Sequence, residues 1–71
     1  MRAVIDPQII GTNLKMLRGE RTQLEVAEAV GVTTMAISQY ENGDRIPRDE
    51  IKIKLAKYFN KSVEELFYNL K

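Results

Sequence analysis

A chain of 71 residues bounds one small domain, near the lower limit for folding without disulfides or a structural metal. Cysteine and histidine are both absent, which excludes a disulfide scaffold and removes the residue types that dominate transition-metal sites. The net charge is only +1 and no stretch approaches the roughly 18 apolar residues of a membrane span, so the composition predicts a soluble cytoplasmic domain with no signal peptide, metal or cofactor.

Residues 1–6 form a short N-terminal extension that no helical pattern explains. Asp6-Pro7 then reads as an N-cap followed by proline at the first helical position. Ile10, Leu14 and Leu17 recur at helical spacing, which predicts a first helix to about Arg18, stopped by Gly19. Thr22-x-x-Glu25 is a capping box and predicts a second helix over Gln23–Val30. Ala27 is small enough for another helix to cross closely over it, and Gly31 can take the positive φ that ends this helix. Thr33 or Thr34 caps a third helix that runs to about Asn42, with Val32 and Ile37 facing inward and Gly43 as the stop. Residues 22–43 therefore read as a helix-turn-helix.

Pro47 and Asp49 open a fourth helix with Ile51, Leu55, Ala56 and Phe59, and with Ile53 as a further candidate, on its inner face. Asn60 can take the left-handed stop. Ser62-x-x-Glu65 is a second capping box, opening a C-terminal helix over 62–70 with Val63, Leu66, Phe67 and Leu70. Charge is uneven along this order: residues 1–18 carry net +2, 19–50 net −4 and 51–71 net +3. The acidic middle coincides with the helix-turn-helix, which argues against strong non-specific binding to nucleic acid.

Together these segments resemble the Xre/Cro-type helix-turn-helix regulators, related to the phage repressors. The resemblance rests on IGTNLKMLR, TQLEVAEAVGVT, ISQYENGDRIP and IKLAKYFNKSVEELF, and covers roughly Ile10 to Phe67. It implies an all-α, compact five-helix bundle of the lambda-repressor-like kind. The implied function is sequence-specific binding of double-stranded operator DNA, usually as a dimer and most often as a repressor. The sequence departs from the family in two places. The link between Arg18 and Thr22 is about two residues shorter than the usual turn, and Leu24 stands where a polar residue is general.

The resemblance also implies roles for individual residues. Gln23 matches a glutamine that touches a DNA phosphate from a helix N-terminus, where unpaired N–H groups favour anions. Thr33, Thr34, Met35, Ser38 and Gln39 resemble positions that reach base edges in the major groove, although Thr33 or Thr34 could simply cap the helix. Helix 3 lacks arginine and lysine, so an A·T-leaning site read partly through shape is expected. Asn42, Arg45 and Arg48 resemble residues that grip the DNA backbone; the plainer reading of Arg45 is a loop arginine paired with Asp44. Arg21 and Lys52 are further backbone candidates, weighed against simple solvation. Arg18 and Glu41 match a partly buried ion pair that fixes the recognition helix.

Phe67, Tyr68 and Leu70, together with Met1–Ile5, are the expected surface for a homodimer. No ligand-binding domain is recognisable in the sequence, so any switch is expected to come from a regulatory protein partner, from protein concentration or from the N-terminal extension. An alternative function is a protein-interaction module, such as an antitoxin or anti-regulator on the same fold, suggested by the acidic middle and by Leu24. Catalysis is not expected: histidine and cysteine are absent, and no paired acids mark a pocket.

Overall fold

The protein is described by a computed structural model over residues 6–68. The elements in order are α1 (Pro7–Arg18), α2 (Gln23–Val30), α3 (Thr34–Glu41), α4 (Asp49–Phe59) and a short α5 (Glu64–Tyr68). Among the described residues there is no strand.

Local chemistry sets most of the boundaries. The Asp6 carboxylate accepts the Gln8 N–H at 2.9 Å, with Pro7 in the first turn of α1. Both arms of the first capping box are made: Thr22 N–H donates to Glu25 Oε1 at 2.8 Å, and Glu25 N–H donates to Thr22 Oγ1 at 3.0 Å. Gly31 ends α2 in the left-handed region (φ 77°, ψ 35°). There the N–H groups of Gly31 and Val32 both return to the Ala27 carbonyl, at 2.8 and 3.0 Å. Thr33 caps α3, its hydroxyl accepting the Ala36 N–H at 3.0 Å. α3 ends at Glu41, one residue before the expected end, with Asn42 as its C-cap.

The core draws on every helix: Ile10 and Leu14 from α1, Val26, Ala27 and Val30 from α2, Ala36, Ile37 and Tyr40 from α3, Ile51, Leu55 and Ala56 from α4, and Leu66 and Phe67 from α5. α3 packs against both α1 and α2, α4 against α2, and α5 against α1. At Gly11, α1 lies directly on the end of α3, and a β-carbon there would collide with the carbonyl oxygens of Tyr40 and Glu41. The sequence reading had not singled out this contact.

Three expectations are corrected. Ile53 does not face inward but is 51% exposed, while Lys52 is only 6% exposed and takes the inner position. Lys52 Nζ donates to the Tyr68 hydroxyl at 3.0 Å and lies 3.6 Å from Asp49 Oδ1, so it is a structural cation and not a solvent-facing backbone gripper. α5 is not a regular α-helix but one wide, π-helical turn, opened by the expected reciprocal bonds between Ser62 and Glu65 at 2.9 and 3.0 Å. Its apolar residues serve the domain itself: Phe67 is fully buried and Tyr68 is half-buried against Lys52. Phe67 is therefore spent on the core, Tyr68 keeps part of its surface exposed, and Leu70 and residues 1–5 lie outside the described residues.

Candidate nucleic-acid interface

The inner face of α3 is Ala36, Ile37 and Tyr40, all buried. Helical periodicity then places Thr34, Met35, Ser38, Gln39 and Asn42 together on the opposite side. Thr33, Thr34 and Asn42 are exposed, Ser38 and Gln39 half-buried, and Met35 is 69% exposed. A thioether this exposed gains nothing from the domain's own core, which is a reason to look for contact elsewhere. Thr33 is spent as the N-cap, its hydroxyl already accepting a backbone N–H. Asn42 Nδ2 donates to Ser38 Oγ at 3.4 Å, linking the two along the helix.

The loop after α3 brings one arginine to this face. Arg45 Nη1 approaches Gln39 Oε1 at 3.5 Å, and its guanidinium lies 5.9 Å from the centre of the Tyr40 ring. Its recorded partners are therefore Gln39 and Tyr40, not Asp44. Arg48 is exposed at the N-cap of α4, where its side chain makes no cap hydrogen bond. Arg21, the other backbone candidate, stacks over Tyr58 and Phe59 at 5.3 and 5.6 Å and donates to the Leu17 carbonyl at 3.2 Å.

Gln23, the first residue of α2, is joined to α3 through Glu41. The Glu41 side chain is 4% exposed and that of Arg18 is 18% exposed. Arg18 Nε donates to Glu41 Oε2 at 2.6 Å and Arg18 Nη2 to Glu41 Oε1 at 3.1 Å, a two-pronged pair with good geometry. Gln23 Nε2 donates to the same Oε1 at 3.0 Å. Arg18 Nη1 also donates to the Arg21 carbonyl at 2.8 Å, so α1, the short link, α2 and α3 meet at one ion pair. The hydrogen bond to Glu41 pushes the Arg18 pKa upward, helped by the charge of Glu41 and opposed by burial, so the pair favours the charged guanidinium.

The resemblance pairs Arg18 with Glu41; the third partner, Gln23, carries no sequence signal for this contact. The interior residues Gly11 and Lys52 carry a periodicity signal: Gly11 lies three residues before the core residue Leu14, and Lys52 lies three and four residues before Leu55 and Ala56. Among the described residues, no helix is long and apolar enough to cross a membrane, and no cluster of acids could hold a metal ion.

Comparison with known proteins agrees with this geometry. A family model described as helix-turn-helix matches residues 14–66. No curated protein matches significantly. Among solved structures, the SOS-response transcriptional repressor LexA of Eubacterium rectale superposes with a TM-score of 0.83 at 32% identity, over 93% of this chain and 72% of that one. The P22 c2 repressor, in complex with a synthetic operator, gives a TM-score of 0.80 at 30% identity, over 83% and 92% of the two chains. The restriction-modification controller protein C.AhdI of Aeromonas hydrophila gives 0.79 at 26% identity, over 87% and 97%. A helix pair cornered at a left-handed glycine, set in an all-helical bundle and matched over most of its length, places this chain in the helix-turn-helix family, among the Xre/Cro-type, phage-repressor-like transcriptional regulators.

Proposed function

We propose that the protein binds operator DNA as a homodimer and represses transcription, reading the major groove with α3. The observation that carries this reading is the division of α3 into a buried face and an outward face of Thr34, Met35, Ser38 and Gln39. Such a helix is held rigidly enough to present side chains in fixed register. Similarity to a repressor caught on a synthetic operator supports the same assignment. In this role Gln23, Asn42, Arg45 and Arg48 hold the DNA backbone, and Thr34, Met35, Ser38 and Gln39 meet base edges. Thr33 contributes chiefly as the cap that aims the start of α3.

A methionine and a threonine at the tip suit thymine methyl groups, and no cation on α3 offers the bidentate guanine contact. The preferred site is therefore A·T-leaning. Dimerisation follows from size, because a single small module covers little DNA and two modules supply two half-sites. Its expected surface is the C-terminal helix, the N-terminal extension or both.

Selection from random duplexes at near-physiological salt tests this reading. It predicts an enriched inverted repeat with half-site centres about 10–11 base pairs apart, or a multiple of that. A folded protein that enriches no sequence would shift the reading to the protein-interaction module. Exposed Leu24 on α2, with acidic residues around it, is the feature that favours that alternative.

A further inference from the structure

We infer that Glu41 is a positioning residue for DNA binding: its buried carboxylate holds the Gln23 amide so that one N–H is aimed at a backbone phosphate seated on the start of α2. This rests on the reading that Gln23 meets phosphate.

Glu41 accepts more donors than its charge requires. Arg18 alone satisfies the carboxylate, with one nitrogen on each oxygen, at 2.6 and 3.1 Å. The Gln23 bond at 3.0 Å is additional to charge compensation. Its effect falls on Gln23. An ionised carboxylate only accepts, so the amide nitrogen, not the amide oxygen, must face Glu41. An amide nitrogen carries two hydrogens, and one remains free. The half-buried glutamine is thus fixed in rotation, with a spare donor at the mouth of α2.

That donor has company. Thr22 and Glu25 consume each other's N–H groups in the capping box. The N–H groups of Gln23 and Leu24 lie in the first turn, where the helix offers no acceptor. Two backbone donors and one side-chain donor therefore share one helix end, a set that suits a phosphate oxygen. Glu41 would oppose that phosphate if its charge were open, but Arg18 cancels it and most of the carboxylate is shielded from solvent. Holding the glutamine before DNA arrives removes an ordering cost from association. Glu41, at the buried C-terminal end of α3, thereby acts on the DNA through Gln23.

The test uses the full chain and an operator duplex obtained by selection, in which each phosphate in turn is replaced by a neutral methylphosphonate. Wild type should lose about tenfold in affinity at the phosphate seated on α2, as expected for hydrogen bonds to a charged group. Gln23→Met should weaken binding to the unmodified duplex and shrink that local penalty to about threefold, leaving the backbone N–H share. The double variant Arg18→Met/Glu41→Leu removes both charges together and should shrink the same penalty equally. Adding Gln23→Met to it should change nothing further. A double variant that keeps the full penalty at that phosphate, while Gln23→Met loses it, overturns the positioning role. A Gln23→Met profile identical to wild type overturns the phosphate reading itself. Should the double variant not fold, the side-chain amide of Gln23 in the free wild-type protein gives the answer by NMR. One slowly exchanging proton shifted from the ordinary side-chain amide range is expected, and a pair at ordinary shifts exchanging at the free-amide rate would refute the clamp.

Discussion

Two corners of this molecule each bury a cation, and they do it differently. At the α1–α2–α3 corner, Arg18 meets a buried carboxylate with two nitrogens, and a glutamine from a third helix completes the set. At the α4–α5 corner, Lys52 meets one neutral hydroxyl at 3.0 Å, while its nearest acid, Asp49, is 3.6 Å away with a side chain 93% exposed. A planar guanidinium fixed at several points sets distance and angle together, whereas an ammonium on a flexible stem fixes only a distance. The first corner controls how α3 is held. The second closes the core beneath Phe67 and Tyr68, where the ammonium also lies 5.9 and 5.0 Å from the two ring centres. Precision is concentrated at the corner that aims α3.

The largest expected effect breaks the first corner on one side. Glu41→Leu leaves the Arg18 cation poorly solvated and should cost about 3–5 kcal/mol in urea unfolding, whereas Arg18→Met/Glu41→Leu should recover most of that loss. Equal losses in the single and double variants would show that the pair is not coupled. The second corner should respond far less. Tyr68→Phe should cost about 1 kcal/mol, since the lysine can swing its head toward water, and Lys52→Met should be close to neutral because methionine fills the same channel. A loss from Lys52→Met as large as that from Glu41→Leu would erase the contrast between the corners.

The smallest effect is a pH dependence at the edge of the second corner. The Ser62 backbone N–H, the Ser62 hydroxyl and nearby Lys61 hold the Glu65 carboxyl below its ordinary value of 4.5. A depressed carboxyl contributes stability that is complete above the unfolded pKa and is lost as pH falls through the folded one. Protection of the α5 amides from hydrogen exchange should therefore fade on acidification below about pH 4.5, while remaining flat above it. In Glu65→Gln that acid limb should vanish; its persistence would assign the effect to another group.

The parts legible in the sequence were those whose partners lie within four residues. Thr22 with Glu25, Ser62 with Glu65, Asp6 with Pro7, and the glycine after Val30 all act locally, and each appears where expected. Arg18 and Glu41 are 23 positions apart, and only family resemblance could pair them. On α4, hydropathy misled where geometry would have served: Ile51, Lys52, Leu55, Ala56 and Phe59 share one helical stripe, and Ile53 falls outside it. The lysine was placed outward because it is charged, although a long stem can cross apolar surface to reach a hydroxyl. α5 was expected as a regular helix because its cap is real. The cap specifies where a helix starts, not how tightly its next turn is wound.

Gly11 bears on how such a protein could change its target. With α1 resting on the last carbonyls of α3, α3 cannot roll about its own axis without driving one backbone into another. Thr34, Met35, Ser38 and Gln39 lie away from that contact. If α3 reads DNA as proposed, its outward side chains are a rewritable layer on a fixed frame. New preferences would arise by exchanging those side chains in place, and a substitution at Gly11 would disturb all of them at once.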